Sequence, residues 1–291
     1  MIQRRIVFAN RKGGCGKTSS VVNVAAGLAL ADRKVLLIDC DSQSHASIHL
    51  GFSQYETEIS LYDLLTDNID CIDDVIYEAK WPKGLYIIPA TGQLNALELE
   101  MSNNQNMKFS LAKKLMVKET SHFNYILFDT PPTVGLLNIM CLIAAKEAII
   151  PVQTHFLSME GLAEMVRYIY QINATVNAEL KIAGIIPTFF NRKAGLSKEV
   201  VKEIKKNFGT DIVFPVVRHN NNIAEAPGFG QCIFKYAPHS IGAIDYTAII
   251  ERIDSNKLVN PLLCDVGGRR IPSKNSRNAA GRKKKKKKKR R

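Results

Sequence analysis

Seven residues near the start of the chain, Lys12-Gly13-Gly14-Cys15-Gly16-Lys17-Thr18, bring three glycines, two lysines and a hydroxyl into one short stretch. Glycines at this spacing let backbone N–H groups turn inward around an anion where a Cβ would collide. A lysine followed by a hydroxyl adds a charge for phosphate oxygens and a ligand for a hard divalent cation. The chemistry this suggests is the binding of a nucleoside triphosphate. Lys17 would hold the β and γ phosphates, Thr18 would ligate Mg2+, and Ser19 would reach the α phosphate. The amides of Gly13, Gly14, Cys15 and Gly16 would surround the phosphate chain. A tight strand–helix turn could carry a lysine by chance, but seven agreeing positions between a strand and a helix argue against that.

Three acids stand where such a loop needs them. Asp39 and Asp41 follow the apolar run Val35–Ile38, and Asp129 follows Tyr125–Phe128. In a parallel sheet, ligands bind beyond the carboxyl ends of the strands. Asp39 and Asp41 share a side by strand alternation. Asp129, in the Walker B form, would bind Mg2+ through water, and Pro131-Pro132 would stiffen the segment after it.

The elements that must position these residues alternate along the chain. Strands are expected at Arg4–Ala9, Val35–Asp39, Leu85–Pro89, Tyr125–Asp129, Ala148–Val152, Ile182–Thr188 and Asp211–Phe214. Helices are expected at Thr18–Ala31, Asn106–Val117, Leu136–Ala145, Glu160–Thr175, Ser197–Phe208 and Ser240–Ile253. Strands and helices of these lengths predict an α/β fold: a mainly parallel twisted sheet with helices on both faces. The glycine loop makes it a P-loop NTPase with a deviant Walker A motif. The domain is expected over 1–260. Residues 261–291 form a basic tail without enough apolar surface to fold alone.

The net charge of +13 resides in that tail. After Asp265 there are no acids and 14 bases, including the unbroken run Arg282–Arg291, and the rest of the chain holds 26 bases against 27 acids. The tail suits any polyanion, DNA or an anionic membrane surface, and carries no sequence readout. The six cysteines are scattered without a CxxC pair, which reads as reduced thiols. No apolar run is long enough for a membrane helix, and a strand begins too close to Met1 to leave room for a secretory signal.

Lys12 has no role in an ordinary phosphate loop, and the KGGxGKT form resembles the ParA/MinD group of ATPases. Pro151-Val152-Gln153, Glu160-Gly161-Leu162, Ala224-Glu225-Ala226-Pro227 and Phe229-Gly230 are similar to segments on the ParA/Soj side of that group. The resemblance spans roughly residues 3–255. It implies that Lys12 crosses a dimer interface to the partner's phosphates, so that Lys12, Lys17 and Asp41 form the catalytic set. Asp41 would orient the attacking water, and Asp39 would be a structural and metal-side partner beside Thr18 and Asp129. Ser42 stands where relatives carry proline. Asn220 falls where relatives contact the adenine edge, and a plain loop asparagine would read the same way. Arg218 stands where relatives usually have proline, which alters the base pocket.

For DNA, Lys198 and Lys202 share a helical face, preceded by Arg192 and Lys193. Lys193 aligns with a family arginine that binds DNA, and Asn222 replaces a second one. Arg218 joins Arg192, Lys193, Lys198 and Lys202 as a candidate DNA contact, although a solvated helix face has the same composition. The family implies a cytoplasmic, nucleoid-associated bacterial or archaeal ATPase that uses ATP and Mg2+. It would form a homodimer with ATP, bind non-specific DNA, respond to a cargo-bound ParB-like stimulating protein and hydrolyse slowly. A MinD-like membrane-positioning role is the alternative, and it would need a terminal helix with an apolar face.

Overall fold

A computed structural model of the chain describes residues 2–255 apart from 54, 101–103 and 105. The expected tail at 261–291, and the domain boundary at 260, lie outside the described residues.

The amino-terminal half runs β1 (Arg4–Phe8), α1 (Lys17–Leu30), β2 (Val35–Asp39), α2 (His45–His49), α3 (Leu61–Leu65), β3 (Tyr77–Glu78), β4 (Leu85–Ile88), α4 (Leu94–Glu100), α5 (Ser110–Lys114) and β5 (Tyr125–Asp129). It continues through α6 (Leu136–Ala144), β6 (Glu147–Gln153), α7 (Ser158–Thr175), β7 (Lys181–Thr188), α8 (Gly195–Phe208), α9 (Asn221–Glu225), α10 (Ile233–Tyr236) and α11 (Ile241–Ile253). The strands form one seven-stranded sheet in the order β3-β4-β2-β5-β1-β6-β7. Every pairing is parallel except β3 with β4 at the edge.

The sheet is apolar on both faces, as a parallel sheet must be when helices cover both sides. Alternation divides its side chains. Val7, Leu36, Ile38, Ile126, Phe128 and Ile150 pack into one core with α6 and α7. Ile6, Phe8, Val35, Leu37, Leu127 and Ile149 pack into the other with α1 and α11. Two glycines permit close approaches. A Cβ on Gly27 of α1 would lie 2.0 Å from Ile250 of α11, and one on Gly184 of β7 would lie 1.8 Å from the Phe214 ring.

The end of α11 is tied to the sheet by charge. Asp254 accepts from Arg33 Nε at 2.7 Å and from the Tyr125 hydroxyl at 3.1 Å. Arg4 pairs with Glu147 at 2.6 Å and also donates to the Ile253 carbonyl.

Two expected elements are corrected. Asp211–Phe214 is not a strand: Thr210–Ile212 is a 3-10 turn, and only an isolated bridge joins Val213 to Ile185. Beyond Pro215 the chain stays beside β7, where a second isolated bridge joins Arg218 to Phe190, so the contacts are intermittent and form no continuous ladder. The helix expected over Asn106–Val117 is reduced to a 3-10 turn at Met107–Phe109 followed by the short α5. Its carbonyls are captured by side chains instead of a further turn. Arg5 donates to Leu115 O at 2.7 Å, and the Thr120 hydroxyl lies 3.0 Å from that oxygen and 3.1 Å from Val117 O.

Candidate functional site

The glycine loop connects β1 to α1 at the carboxyl edge of the sheet. Gly14 and Gly16 have φ of 70° and 85°, which any residue with a Cβ adopts only under strain. A Cβ on Gly13 or Gly14 would meet nothing within 4 Å, so this stretch borders open space. Side chains from neighbouring strand ends hold the loop. Gln153 donates to Gly14 O at 2.8 Å, and Thr188 Oγ1 donates to Cys15 O at 2.8 Å. Asn10 bridges the Lys12 N–H, at 3.0 Å, and the Pro151 carbonyl, at 2.7 Å. The first amides of α1 face the same space and add the positive end of the helix dipole.

Lys17 is buried, with its ammonium 3.3 Å from the Lys12 carbonyl. Lys12 behaves differently: its Nζ lies 3.4 Å from Ser158 Oγ at the start of α7, and its side chain does not line the cleft over the loop. That cleft has a volume of about 460 Å³ and is lined by Gly13, Gly14, Lys17, Thr18, Asp41 and Pro132, among others.

The three acids occupy distinct environments. Asp129 accepts from Thr18 Oγ1 at 2.7 Å through one oxygen, and its other oxygen is buried without a hydrogen-bond partner among the described residues. Burial, then the nearby Asp39 charge, raises its carboxyl well above the usual range. Asp39 lies across from Asp129 in the register of β2 and β5. Its oxygens accept from the Ser47 amide and hydroxyl, both at 2.8 Å, and from the Asp41 amide at 3.2 Å. Burial pushes it up to about 6 despite those donors. Asp41 lines the cleft and accepts from the Gln43 amide at 3.0 Å. The thiols of Cys15 and Cys40 are raised by burial, which makes them poor nucleophiles.

A smaller slot of about 100 Å³ adjoins the cleft, lined by Gly16, Ser19, Phe189, Arg218, Asn220 and Tyr246, among others. Phe189 lines both spaces and holds a φ of 53°, a strained value for a bulky residue. The structure thus brings Gly13 through Ser19, Asp41, Asp129 and Asn220 around one continuous region.

The basic candidates divide. Arg192, Lys193, Lys198 and Lys202 are exposed on α8 and the loop before it, while Ser197, Val200 and Ile204 face inward. Arg218 does not join them: its guanidinium is paired with Asp245 at 2.5 Å, and its side chain lines the slot. Sequence reasoning gave no site role to Asn10, Ser47, Thr188, Phe189 or Asp245. Thr188 and Phe189 carried a usable signal, because they end a strand on the ligand-binding edge.

A family model described as "AAA domain" matches residues 3–182. The sporulation initiation inhibitor protein Soj of Bacillus subtilis is 34% identical over 251 residues, covering 86% of this chain and 98% of Soj. The chain belongs to the ParA/Soj family of partition ATPases. The chromosome partitioning protein ParA of Caulobacter vibrioides is 30% identical over 255 residues, covering 87% of this chain and 95% of that protein. In fold, the chain is similar to cobyrinic acid a,c-diamide synthase from Mycobacterium smegmatis, solved with an ATP analogue and magnesium. That match has a TM-score of 0.74 and 24% identity, and covers 88% of this chain and 98% of the synthase. The ParA/Soj chain is therefore an α/β P-loop NTPase with its glycine loop and acidic strand ends on one edge. Among the described residues, no helix is long and apolar enough to cross a membrane.

Proposed function

We propose that this protein is an ATP-dependent, dimerising ATPase that binds DNA non-specifically in its ATP form and partitions or positions a cargo. The observation that carries the reading is the separation of the two loop lysines. Lys17 is buried in its own loop, whereas Lys12 reaches Ser158 and is not among the residues that line the cleft. A lysine displaced in this way is suited to the phosphates of a second subunit.

The residues fit ATP and Mg2+. Gly13 and Gly14 border space that a Cβ would invade, and the buried second oxygen of Asp129 has no hydrogen-bond partner among the described residues. Mg2+ takes few protein ligands and completes its shell with phosphate oxygens and water. Thr18 would ligate it directly, Asp129 through water, and Asp39 would orient the Asp41 turn from behind. When bound, the ion supplies charge neutralisation across the β and γ phosphates.

Within this frame the protein's work is positioning. The amides from Gly13 to Thr18 and the Lys17 ammonium hold the phosphate chain. Ser19 reaches the α phosphate, and Asn220 lies in the slot that would take the base. Asp41 orients the attacking water, and Lys12 of the partner subunit neutralises charge as it grows on the transferred group. Arg192, Lys193, Lys198 and Lys202 provide a face for phosphate contacts that carries no sequence information. Hydrolysis is slow and stimulated by a ParB-like protein on the cargo, and the protein works in the cytoplasm on the nucleoid.

Molecular mass in solution, measured by light scattering with ATP, tests the core of this reading. The parent chain dimerises, and Lys12→Ala remains monomeric while still binding ATP. A Lys12→Ala dimer at the same ATP concentration would rule out the lysine in trans.

A further inference from the structure

Arg218 lines the small slot beside the phosphate cleft and is held from behind by Asp245. Asp245 of α11 accepts four hydrogen bonds from Arg218. The Arg218 amide donates to Oδ2 at 2.8 Å, Nε donates to both oxygens at 2.9 Å, and Nη2 donates to Oδ1 at 2.5 Å. The side chains are 17% and 8% exposed, so the pair is largely removed from water. A fork of this kind fixes direction as well as distance, which a lone lysine could not do.

The pair holds one wall of the slot. Residues 217–219 run along the end of β7: the Val217 amide donates to Pro187 O at 2.8 Å, and the His219 amide donates to Phe190 O at 3.2 Å. These bonds tie the segment to the sheet, and the Arg218–Asp245 pair ties it to α11. Asn220 follows directly, with its side-chain oxygen held by the Asn222 amide at 2.9 Å. The next residue on α11, Tyr246, also lines the slot, and its hydroxyl lies 3.3 Å from Ser20 Oγ in the first turn of α1. Adjacent residues of one helix therefore brace both sides of the slot. Asp245 holds the loop that presents Asn220, and Tyr246 holds the helix that presents Ser19.

The geometry points to Arg218 and Asp245 as positioning residues that set the width of this slot and with it the affinity for the base of the nucleotide. The inference rests on reading the slot as the base site. It assigns Arg218 to nucleotide recognition rather than to DNA, and it makes the pair a determinant of the base-dependent part of binding only. The phosphate loop has its own supports in Asn10, Gln153 and Thr188 and does not depend on the pair.

The experiment compares ATP with inorganic triphosphate, which engages the loop but has no base. Full-length parent, Asp245→Asn, the charge-reversed Arg218→Asp/Asp245→Arg and the slot-filling Ala224→Trp are titrated with each ligand in Mg2+, and steady-state KM and kcat for ATP are measured. Asp245→Asn should weaken ATP binding and raise KM about tenfold. Its triphosphate affinity and kcat should stay near the parent's, and the charge-reversed pair should recover part of the loss. Ala224→Trp should remove the preference for ATP over triphosphate. If Ala224→Trp removes that preference and Asp245→Asn does not, the positioning role is overturned and the base site stands. If neither alters it, the slot is not the base site and both readings fall. An equal loss for ATP and triphosphate in Asp245→Asn makes the pair a general structural support, which also overturns the proposal.

Discussion

The two oxygens of Asp129 lie in different circumstances: one accepts from Thr18, and the other is buried with no hydrogen-bond partner among the described residues. Such a group is costly in the nucleotide-free protein, and burial accordingly raises its carboxyl. Asp39 shares the effect, raised from 3.8 to about 6. A carboxyl held above its unfolded value binds more protons in the folded state, so its contribution to stability declines as pH rises from about 4 to about 6. Comparison of unfolding free energies for the parent and Asp39→Asn, without nucleotide, should show the difference shifting against the parent across that window. A flat difference would contradict the raised value. In the proposed chemistry, Lys17→Ala should reduce ATP affinity by at least about 100-fold, measured by calorimetry. Asp41→Ala should bind ATP and persist as a dimer without turnover. A normal turnover rate in Asp41→Ala would remove Asp41 from its assigned role.

At the scale of elements, the chain's chemistry depends on how closely β7, α1 and α11 approach the loop. Gly184→Ala would drive a methyl into the Phe214 ring and should cost about 1–3 kcal/mol by denaturant unfolding. Asp254→Ala would strand the buried Arg33 guanidinium and should cost about 3–5 kcal/mol. Strand ends and the glycine loop were legible in the sequence because their signal is local: an apolar run, then an acid or a glycine cluster. The segment at Asp211–Phe214 misled because its composition is strand-like, while Thr210–Ile212 winds into a 3-10 turn and leaves Val213 a single isolated bridge to Ile185. The helix expected at Asn106–Val117 fell short because Arg5 and Thr120 capture its carbonyls, and periodicity cannot report such tertiary competition. The Arg218–Asp245 pair was hidden for the same reason, since 27 residues separate its partners.

Across the whole molecule, the sheet collects the phosphate loop and the acids on one edge, and α8 presents exposed bases. Family membership agrees with that placement, because Soj matches this chain along 98% of its own length. In the proposed function, ATP switches on DNA binding by the folded body of the protein. The most direct measurement is binding to arbitrary duplex DNA with ATP, with ADP and without nucleotide, for the full chain and for a chain ending at Asn260. ATP alone should switch on binding in the shortened chain, with affinity falling steeply as salt rises. Binding by the full chain only, at equal strength with or without nucleotide, would contradict it and leave the basic tail as a passive polyanion anchor.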